Sequence, residues 1–167
     1  MNELIIKSYN SSYAETIINW LKDEESFYRW SAGVLDTFPT NKDKFNSRIQ
    51  KMKSTKLFYA YVVKLNNEVI GFFTLRYREE SINVLTIGFV IIDPKYRHLG
   101  YGKKMLELAI NLAFSKYKTD SVNLRVFKDN TDAYNCYKKV GLVENGIEEY
   151  YEILGKKWLV VELEKRV

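Results

Sequence analysis

Two kinds of hydrophobic spacing alternate along the chain. A first strand is predicted over residues 1–7, where a short apolar run follows a polar start. Apolar side chains then recur at helical spacing over residues 12–30, with a break near Asp23, and over residues 41–52, where Asn41 is the expected N-cap. The amino-terminal part of the chain is therefore predicted to form one strand and three short helices.

The middle of the chain has the alternation of an antiparallel meander. Strands are predicted over residues 57–65 and 68–77, and the Asn-Asn pair between them suits a two-residue hairpin because asparagine tolerates positive φ. A second turn over residues 79–81 leads to a strand over residues 84–92. We therefore expect three consecutive antiparallel strands here.

The order of elements changes after Pro94. The spacing predicts, in chain order, a helix over residues 103–117, a strand over 122–127, a helix over 131–140 capped by Gly141, and strands over 142–151 and 157–164. The Leu154-Gly155 pair is expected at the tip of the last hairpin. This succession predicts an α/β fold.

Composition restricts the class of protein. A chain of 167 residues with 46% hydrophobic and 28% charged residues is typical of one ordered globular domain. Its one cysteine, Cys136, excludes an internal disulfide and a cysteine-based metal cage, and favours a reducing, cytoplasmic setting. The apolar run over residues 87–92 is too short to span a membrane, and the amino terminus lacks the pattern of a secretory signal. The formal net charge of +5 suggests an anionic partner, either nucleic acid or a phosphorylated cofactor.

A glycine-bearing turn joins the strand that ends at residue 92 to the next helix. The turn contains Arg97, His98, Leu99, Gly100, Tyr101, Gly102 and Lys103. Backbone N–H groups converge at the positive end of a helix, and glycines let an anion approach the backbone closely. The turn is therefore predicted to bind phosphate, and a turn that merely connects strand and helix is the alternative.

Two common phosphate-binding motifs do not fit this turn. A Walker A loop has a hydroxyl residue after Gly-Lys, but Lys104 follows Gly102 and Lys103. The dinucleotide fingerprint has a third glycine where Met105 stands, and it lies early in a run of parallel strands. Nucleotide hydrolysis and a Rossmann domain are both disfavoured.

A second motif places Asn130 at a helix start and Tyr137 about two turns later, roughly on the same face. The pattern R-x-x-G-x-G that starts at Arg97 resembles the acetyl-CoA pyrophosphate loop of the GNAT N-acetyltransferases. The pattern N-x-x-A-x-x-x-Y-x-x-x-G that starts at Asn130 resembles their second CoA-side motif. Residues 144–158 are most similar to the branch with ribosomal-protein N-terminal and spermidine acetyltransferases.

This resemblance implies a fold and a set of site residues. The fold is a single GNAT-like α/β domain over residues 1–167, with a mixed, mostly antiparallel sheet of about seven strands flanked by helices. The pantetheine arm of acetyl-CoA would lie along Val90, Ile91 and Ile92, and its diphosphate would bind N–H groups of residues 98–103. Asn130 would contact the cofactor or shape the cleft, and Tyr137 would donate a proton or a hydrogen bond to the departing thiolate. No metal is expected.

The implied reaction is direct transfer of acetyl from acetyl-CoA to a primary amine of a small molecule or a peptide N-terminus. No general base is evident, because the strand before the turn offers only Thr86 where many relatives carry an acid. Carboxylates that would act through water are Glu79, Glu80, Glu148, Glu149 and Glu152. A noncatalytic acyl-CoA sensor is therefore the alternative function. We expect no nucleic-acid or membrane partner, and homodimer formation is left open.

Several other residues have two interpretations. Cys136 is predicted to pack rather than act as a nucleophile, and His98 to lie near phosphate or solvent rather than bind a metal. Tyr134 is the fallback for Tyr137. The acidic groups that would attract a polyamine or aminoglycoside are residues 23–25, Glu144, Glu148, Glu149 and Glu152. The aromatic residues that either line an acceptor pocket or pack in the core are Phe27, Tyr28, Trp30 and Phe38.

Overall fold

A seven-stranded sheet forms the centre of the structure, a computed structural model that describes residues 2–35, 37–55, 57–78 and 81–167. The strands are β1 Leu4–Ser8, β2 Phe58–Leu65, β3 Glu68–Arg78, β4 Ser81–Ile92, β5 Ser121–Phe127, β6 Val143–Ile153 and β7 Lys156–Arg166. Their order is β1-β2-β3-β4-β5-β7-β6, and only β4 and β5 run parallel. The predicted mixed, mostly antiparallel sheet is confirmed.

Five α-helices flank the sheet, and their starts follow the expected caps. They are α1 Ala14–Ile18, α2 Glu24–Ser31, α3 Lys42–Thr55, α4 Tyr101–Ser115 and α5 Thr131–Lys139. Asp23 accepts a hydrogen bond from the N–H of Ser26 at 2.8 Å, and Asn41 accepts one from that of Lys44 at 2.9 Å. These side chains satisfy N–H groups that a helix start leaves without a partner. The predicted break at Asp23 and the predicted cap at Asn41 are both confirmed.

The start of α4 differs from the prediction by two residues, because the helix begins at Tyr101 and not at residue 103. Gly100 is the N-cap and has φ of 86°, a left-handed conformation that glycine adopts at little cost. The helix therefore starts directly after Gly100, and Gly102 lies inside its first turn.

The tight turns of the hairpins have the predicted chemistry. Asn66 and Asn67 have φ of 49° and 69°, and Leu154 and Gly155 have φ of 52° and 75°. Two successive residues with positive φ match the twist of the flanking strands. Both hairpins are confirmed, whereas most of the turn predicted over residues 79–81 lies outside the described residues.

The two faces of the sheet are covered unequally. One face packs against α4 and α5 through a large core of aliphatic side chains that includes Leu85, Met105, Leu106, Leu124 and Leu163. The other face packs against α1 to α3 through an aromatic-rich core that includes Ile17, Phe27, Phe45, Val62 and Phe72. This second core reaches β2, β3 and the end of β4, so on the same face of β5 and β7 polar side chains lie beside a small apolar cluster that includes Phe127 and Val160.

Strands β4 and β5 separate soon after they meet. They pair only where Val84–Thr86 faces Ser121–Asn123, although β4 continues to Ile92. A bulge bends β4 in this free part, since Phe89 and Val90 together oppose Phe73 and Phe89 has φ of 49°. A gap therefore opens between β4 and β5 towards the start of α4.

In the described part of the chain, no helix is both long enough and apolar enough to cross a membrane.

Candidate active site

A cleft of about 1720 Å³ occupies the gap between β4 and β5. Its lining comes from α2, the start of α4, α5 and strands β3 to β7. Of the residues predicted to bind cofactor or act in catalysis, those that line it are Val90, Ile91, Ile92, Arg97, His98, Gly100, Gly102, Lys103, Asn130 and Tyr137. Segments far apart in the sequence are thus brought to one cavity.

Leu99 and Tyr101 are not among the lining residues. The side chain of Leu99 is exposed, and the ring of Tyr101 packs edge-on against Tyr96 with centroids 5.9 Å apart. If these two residues bind cofactor, they do so through their backbone N–H groups and not through their side chains.

The start of α4 presents unpaired backbone donors. The first bond of the helix runs from the N–H of Lys104 to the carbonyl of Gly100 at 3.2 Å, so the N–H groups of residues 101–103 have no partner within the helix. A Cβ on Gly102 would meet only Ile92 Cγ1, at 3.8 Å, which is an ordinary contact. Packing within the protein does not require glycine there, and the small residue leaves room for an anion at the positive helix end.

Positive side chains surround this helix end. Arg97 donates from Nε to the carbonyl of Ile92 at 3.2 Å, which holds its guanidinium at the end of β4. Lys103 lies 3.6 Å from Glu107, one turn along α4. His98 Nε2 is 4.0 Å from Asp132 Oδ2, and both side chains are exposed. Positive side chains therefore lie on the turn that carries the unpaired N–H groups.

Tyr137 lies on α5 and faces the cleft from its buried side. Asn130 caps this helix, because its Oδ1 accepts the N–H of Ala133 at 3.4 Å. Tyr137 is 8% exposed, and burial raises the pKa of its phenol, so the hydroxyl is protonated at neutral pH. In the described part of the chain this hydroxyl has no hydrogen-bond partner. It is thus a proton donor that is available to a ligand in the cleft.

The fallback residue, Tyr134, is engaged elsewhere. Its hydroxyl donates to Glu144 Oε1 at 2.8 Å, and the ammonium groups of Lys128 and Lys138 lie 4.6 and 5.3 Å from its ring centre. Tyr134 does not line the cleft. The geometry therefore favours Tyr137.

Cys136 also lines the cleft, and it packs against the main core. Burial raises the pKa of its thiol, which reduces the fraction present as the nucleophilic thiolate. This agrees with a packing role for the side chain.

None of the described candidate carboxylates is placed as a base in the cleft. Glu148, Glu149 and Glu152 lie on β6 outside the cleft lining, and Glu149 pairs with Arg125 at 2.7 Å. Thr86 lines the cleft, but its hydroxyl donates to Asn123 Oδ1 at 2.7 Å. Glu79 and Glu80 lie outside the described residues.

Of the four aromatic candidates, only Trp30 lines the cleft. Phe27 is buried, with its ring centre 5.8 Å from that of Phe38, and the hydroxyl of Tyr28 accepts the N–H of Phe38 at 3.0 Å. The interpretation of Phe27, Tyr28 and Phe38 as pocket residues is therefore wrong, because they build the core behind the cleft.

A polar network on the open face of the sheet was not predicted. At its centre Glu162, 2% exposed, accepts hydrogen bonds from Arg78 at 2.6 Å and from Arg125 Nε at 3.2 Å. It also accepts from Asn145 at 2.8 Å and from Asn123 at 3.2 Å. Burial opposes the charge of Glu162, but these donors outweigh it and hold the pKa of its carboxyl below the usual range.

The sequence contained one signal for this network. Arg125 and Glu162 each interrupt a strand of otherwise mostly apolar residues, and a charge in such a strand is rarely buried without a partner. Their pairing across β5 and β7 required the register.

A comparison with known protein families tests whether the two motifs belong to the family that they resemble. The model of the Acetyltransferase (GNAT) family matches residues 14–142. The chain belongs to this family. The resemblance seen in the motifs that start at Arg97 and Asn130 is thereby confirmed, and the cleft of this GNAT protein lies between the two motifs.

Individual relatives cover this GNAT chain in part. It is 35% identical over 72 residues to a spermine/spermidine N(1)-acetyltransferase of Bacillus subtilis, which is 43% of this chain and 45% of that protein. It is 27% identical over 100 residues to an N-alpha-acetyltransferase of Sulfurisphaera tokodaii, which is 54% of this chain and 60% of that protein. The chain thus matches about half the length of these curated relatives.

A solved structure confirms the GNAT fold over a longer range. A spermidine N-acetyltransferase from Vibrio cholerae, in complex with CoA and spermine, superimposes with a TM-score of 0.82. The superposition covers 98% of this chain and 95% of that one, at 18% sequence identity. At this identity the likeness shows the fold.

Proposed function

We propose that this protein is an acetyl-CoA-dependent N-acetyltransferase of the cytoplasm that transfers acetyl directly to a primary amine of a small molecule or a peptide N-terminus. One observation carries the proposal. The unpaired N–H groups at the start of α4 and the unpaired phenol of Tyr137 face one cleft, where β4 and β5 separate. Membership of the GNAT family supports the same reaction.

The residues of the cleft fit acetyl-CoA. The N–H groups of residues 98–103, with Arg97 and Lys103 beside them, suit a diphosphate, and Gly102 gives it room. The edge of β4 at Val90, Ile91 and Ile92 has no strand partner on the β5 side, so it suits the amides of a pantetheine arm. We assign Asn130 to positioning, because it caps the helix that presents Tyr137.

Acetyl-CoA supplies a thioester, so that a C–N bond to the amine forms while the C–S bond breaks. Tyr137 holds its proton at neutral pH and donates it to the departing sulfur. The amine nitrogen gives up a proton to water, because none of the candidate carboxylates among the described residues lines the cleft. Water then returns a proton to the Tyr137 oxygen for the next turnover. An amine that is partly neutral is therefore favoured, and α-amines titrate near about 8 whereas lysine-like amines titrate above about 10.

The test is an acceptor screen on the full chain. Acetyl-CoA is mixed with amino acids, peptides, aminoglycosides and polyamines, and both released thiol and the mass of the product are measured. We expect one class to be acetylated well above the background of acetyl-CoA alone. If the chain binds acetyl-CoA but acetylates no amine, the protein is instead a sensor of acyl-CoA.

The expectations that no metal and no nucleic acid take part stay predictions. Homodimer formation stays open. Within the described ranges no group of three or more His, Cys, Asp or Glu is arranged to hold a metal ion.

A further inference from the structure

The cleft has a polar floor on the sheet face that α4 and α5 do not cover. We define the arginine floor as Arg78, Thr86, Arg125 and Tyr151, all of which line the cleft. They are connected side by side, since Arg78 Nε donates to the Thr86 hydroxyl at 3.3 Å and Arg125 Nη1 contacts the Tyr151 hydroxyl at 2.8 Å. Glu162 of β7 joins the two pairs, because it accepts hydrogen bonds from both Arg78 and Arg125.

The arginine floor lies on the side of the sheet away from Tyr137. Leu124 and Val126 pack with Tyr137 in the core under α4 and α5, and Arg125 between them points to the opposite face, as alternate residues of a strand do. A cofactor held at the start of α4, with its thioester near Tyr137, leaves this opposite face to the second substrate. The floor faces the part of the cleft that such a cofactor would leave open.

The floor presents positive charge to the cleft. Arg78 and Arg125 share one buried carboxylate, Glu162, which lies beneath them and does not line the cleft. The second partner of Arg125, Glu149, is also outside the lining.

Donors on these guanidiniums remain available. Nη2 of Arg78 and Nε of Arg125 donate to Glu162. Nη1 of Arg125 donates to Glu149 and to the Tyr151 hydroxyl. Nη1 of Arg78 and Nη2 of Arg125 have no hydrogen-bond partner among residues 2–35, 37–55, 57–78 and 81–167. The two side chains are 30% and 34% exposed, so a ligand in the cleft can reach them. Guanidinium N–H groups match the geometry of a carboxylate.

The acids at the rim of the cleft are already engaged. Glu25 and Asp129 both pair with Arg29, whose guanidinium lies 4.6 Å from the ring centre of Trp158. Asp23 accepts hydrogen bonds from the N–H and the hydroxyl of Ser26. The fourth carboxylate in the lining, that of Asp132, lies 4.0 Å from His98 Nε2. Eight Lys and Arg side chains line the cleft against these four carboxylates, so the lining as a whole favours an anionic group over a polyamine.

We propose, building on the acetyltransferase function above, that the acceptor is a small amine that also carries a carboxylate, and that Arg78 and Arg125 bind this carboxylate. The two arginines determine specificity and leave the amine free to reach the gap between β4 and β5. Polyamines are then poor acceptors, in contrast to the acceptors named for two of the similar proteins.

The test compares matched acceptors on the full chain. Each amino acid is paired with its own carboxamide, and spermidine is the polyamine probe. We expect kcat/KM for the carboxylate form to exceed that of the carboxamide and of spermidine by about tenfold or more. The amine of the carboxamide is less basic than that of the amino acid, so a larger fraction of it is neutral and able to react. This difference favours the carboxamide and cannot produce the expected preference for the carboxylate form.

Variants assign the preference to the floor. Arg78→Gln and Arg125→Gln should each bring the ratio of carboxylate to carboxamide towards one, through a higher KM for the carboxylate form only. Lys44→Gln removes the same charge from an exposed position on α3 and should keep the ratio. An unchanged ratio in both arginine variants would overturn the proposal.

Two controls keep the outcome clear. Arg125→Gln takes a partner from buried Glu162, so the double variant Arg125→Gln/Glu162→Gln removes both charges together. Stabilisation by CoA on heating shows whether each variant is folded.

If no amine is acetylated, the proposed function fails. Binding to the arginine floor is then measured by calorimetric titration of the CoA-saturated chain with the amino acid, its carboxamide and spermidine. Binding of the amino acid but not its carboxamide, lost in Arg125→Gln, supports the floor. Absent or equal binding, or a preference for spermidine, refutes it.

Discussion

The two halves of the cleft are built in different ways. The half at the start of α4, where we propose that acetyl-CoA binds (the cofactor half), uses backbone N–H groups and glycines from consecutive residues, with φ of 86° at Gly100 as its main requirement. The half over the open sheet face, where we propose that the acceptor binds (the acceptor half), uses side chains from several strands, centred on the buried carboxylate of Glu162. The first half is determined by the backbone of one short segment and therefore suits a ligand that stays the same. The second half can change by substitution of single side chains and therefore suits a ligand that differs between related proteins.

Removal of the Tyr137 phenol tests whether chemistry occurs where the two halves meet. We expect Tyr137→Phe to lower kcat by about 10² to 10⁴, because general acid catalysis contributes that range. The affinity for acetyl-CoA, measured by calorimetry, should stay the same, since the cofactor half is intact. Tyr134→Phe is the matched control and should keep its kcat. Equal turnover by Tyr137→Phe and the original protein would remove the phenol from the mechanism.

Glu162 tests the stability of the acceptor half. Glu162→Ala leaves two guanidiniums without their shared buried partner, so we expect a loss of about 3 kcal/mol in the free energy of unfolding. This corresponds to a thermal midpoint roughly 6 to 12 °C lower. Glu148→Ala, at an exposed position of the neighbouring strand β6, should change the midpoint little. Similar midpoints for the two variants would mean that the network contributes no stability.

The same carboxyl gives a pH dependence with a defined sign. Its pKa in the folded protein lies below the usual 4.5, so its contribution to stability is present above that value and is lost as pH falls through the folded pKa. Unfolding followed in urea from pH 6 to pH 3 should therefore show a shallower loss in Glu162→Gln than in the original chain. Parallel curves would contradict the depressed pKa.

Gly102 tests the cofactor half with a smaller effect. A Cβ there meets only an ordinary contact, so Gly102→Leu should fold normally while its side chain obstructs an anion at the helix end. We expect KM for acetyl-CoA to rise about tenfold, since several charge-assisted hydrogen bonds weaken together. Asn111→Leu adds the same bulk at an exposed position further along α4 and should leave KM unchanged. A normal KM in Gly102→Leu would place the diphosphate elsewhere.

Cys136 gives the smallest expected effect. Cys136→Ser should keep kcat within about twofold, because the raised pKa of the thiol disfavours an acyl-enzyme. Steady-state rates together with mass spectrometry of the protein under turnover check this. A covalent acetyl group on the original chain that is absent from the variant would require a two-step mechanism.

The sequence predicted most of the fold and the glycine-bearing turn at the start of α4 because both depend on local patterns. Asn41, the Asn66-Asn67 pair and Gly141 act through their own backbone conformation or that of near neighbours, and each was found where expected. The placement of Tyr137 in one cleft with the glycine-bearing turn followed from the resemblance of two motifs to a single family.

The acceptor half could not be predicted because it depends on strand register. Arg125 and Glu162 are 37 residues apart, and they meet only because β5 and β7 pair with those residues opposite each other. Phe27 and Trp30 lie on the same short helix, yet one is core and the other lines the cleft. Helical spacing alone does not decide which side of an amphipathic helix meets a cavity.

The short ladder between β4 and β5 also makes occupancy of the cleft measurable. Only three register pairs join the two strands, so peptide groups further along β4 that face the gap have no neighbouring strand to slow the exchange of their amide hydrogens. A molecule lying along that edge replaces the missing strand. Deuterium uptake at residues 88–92 would then report filling of the gap for any ligand, whether or not it reacts.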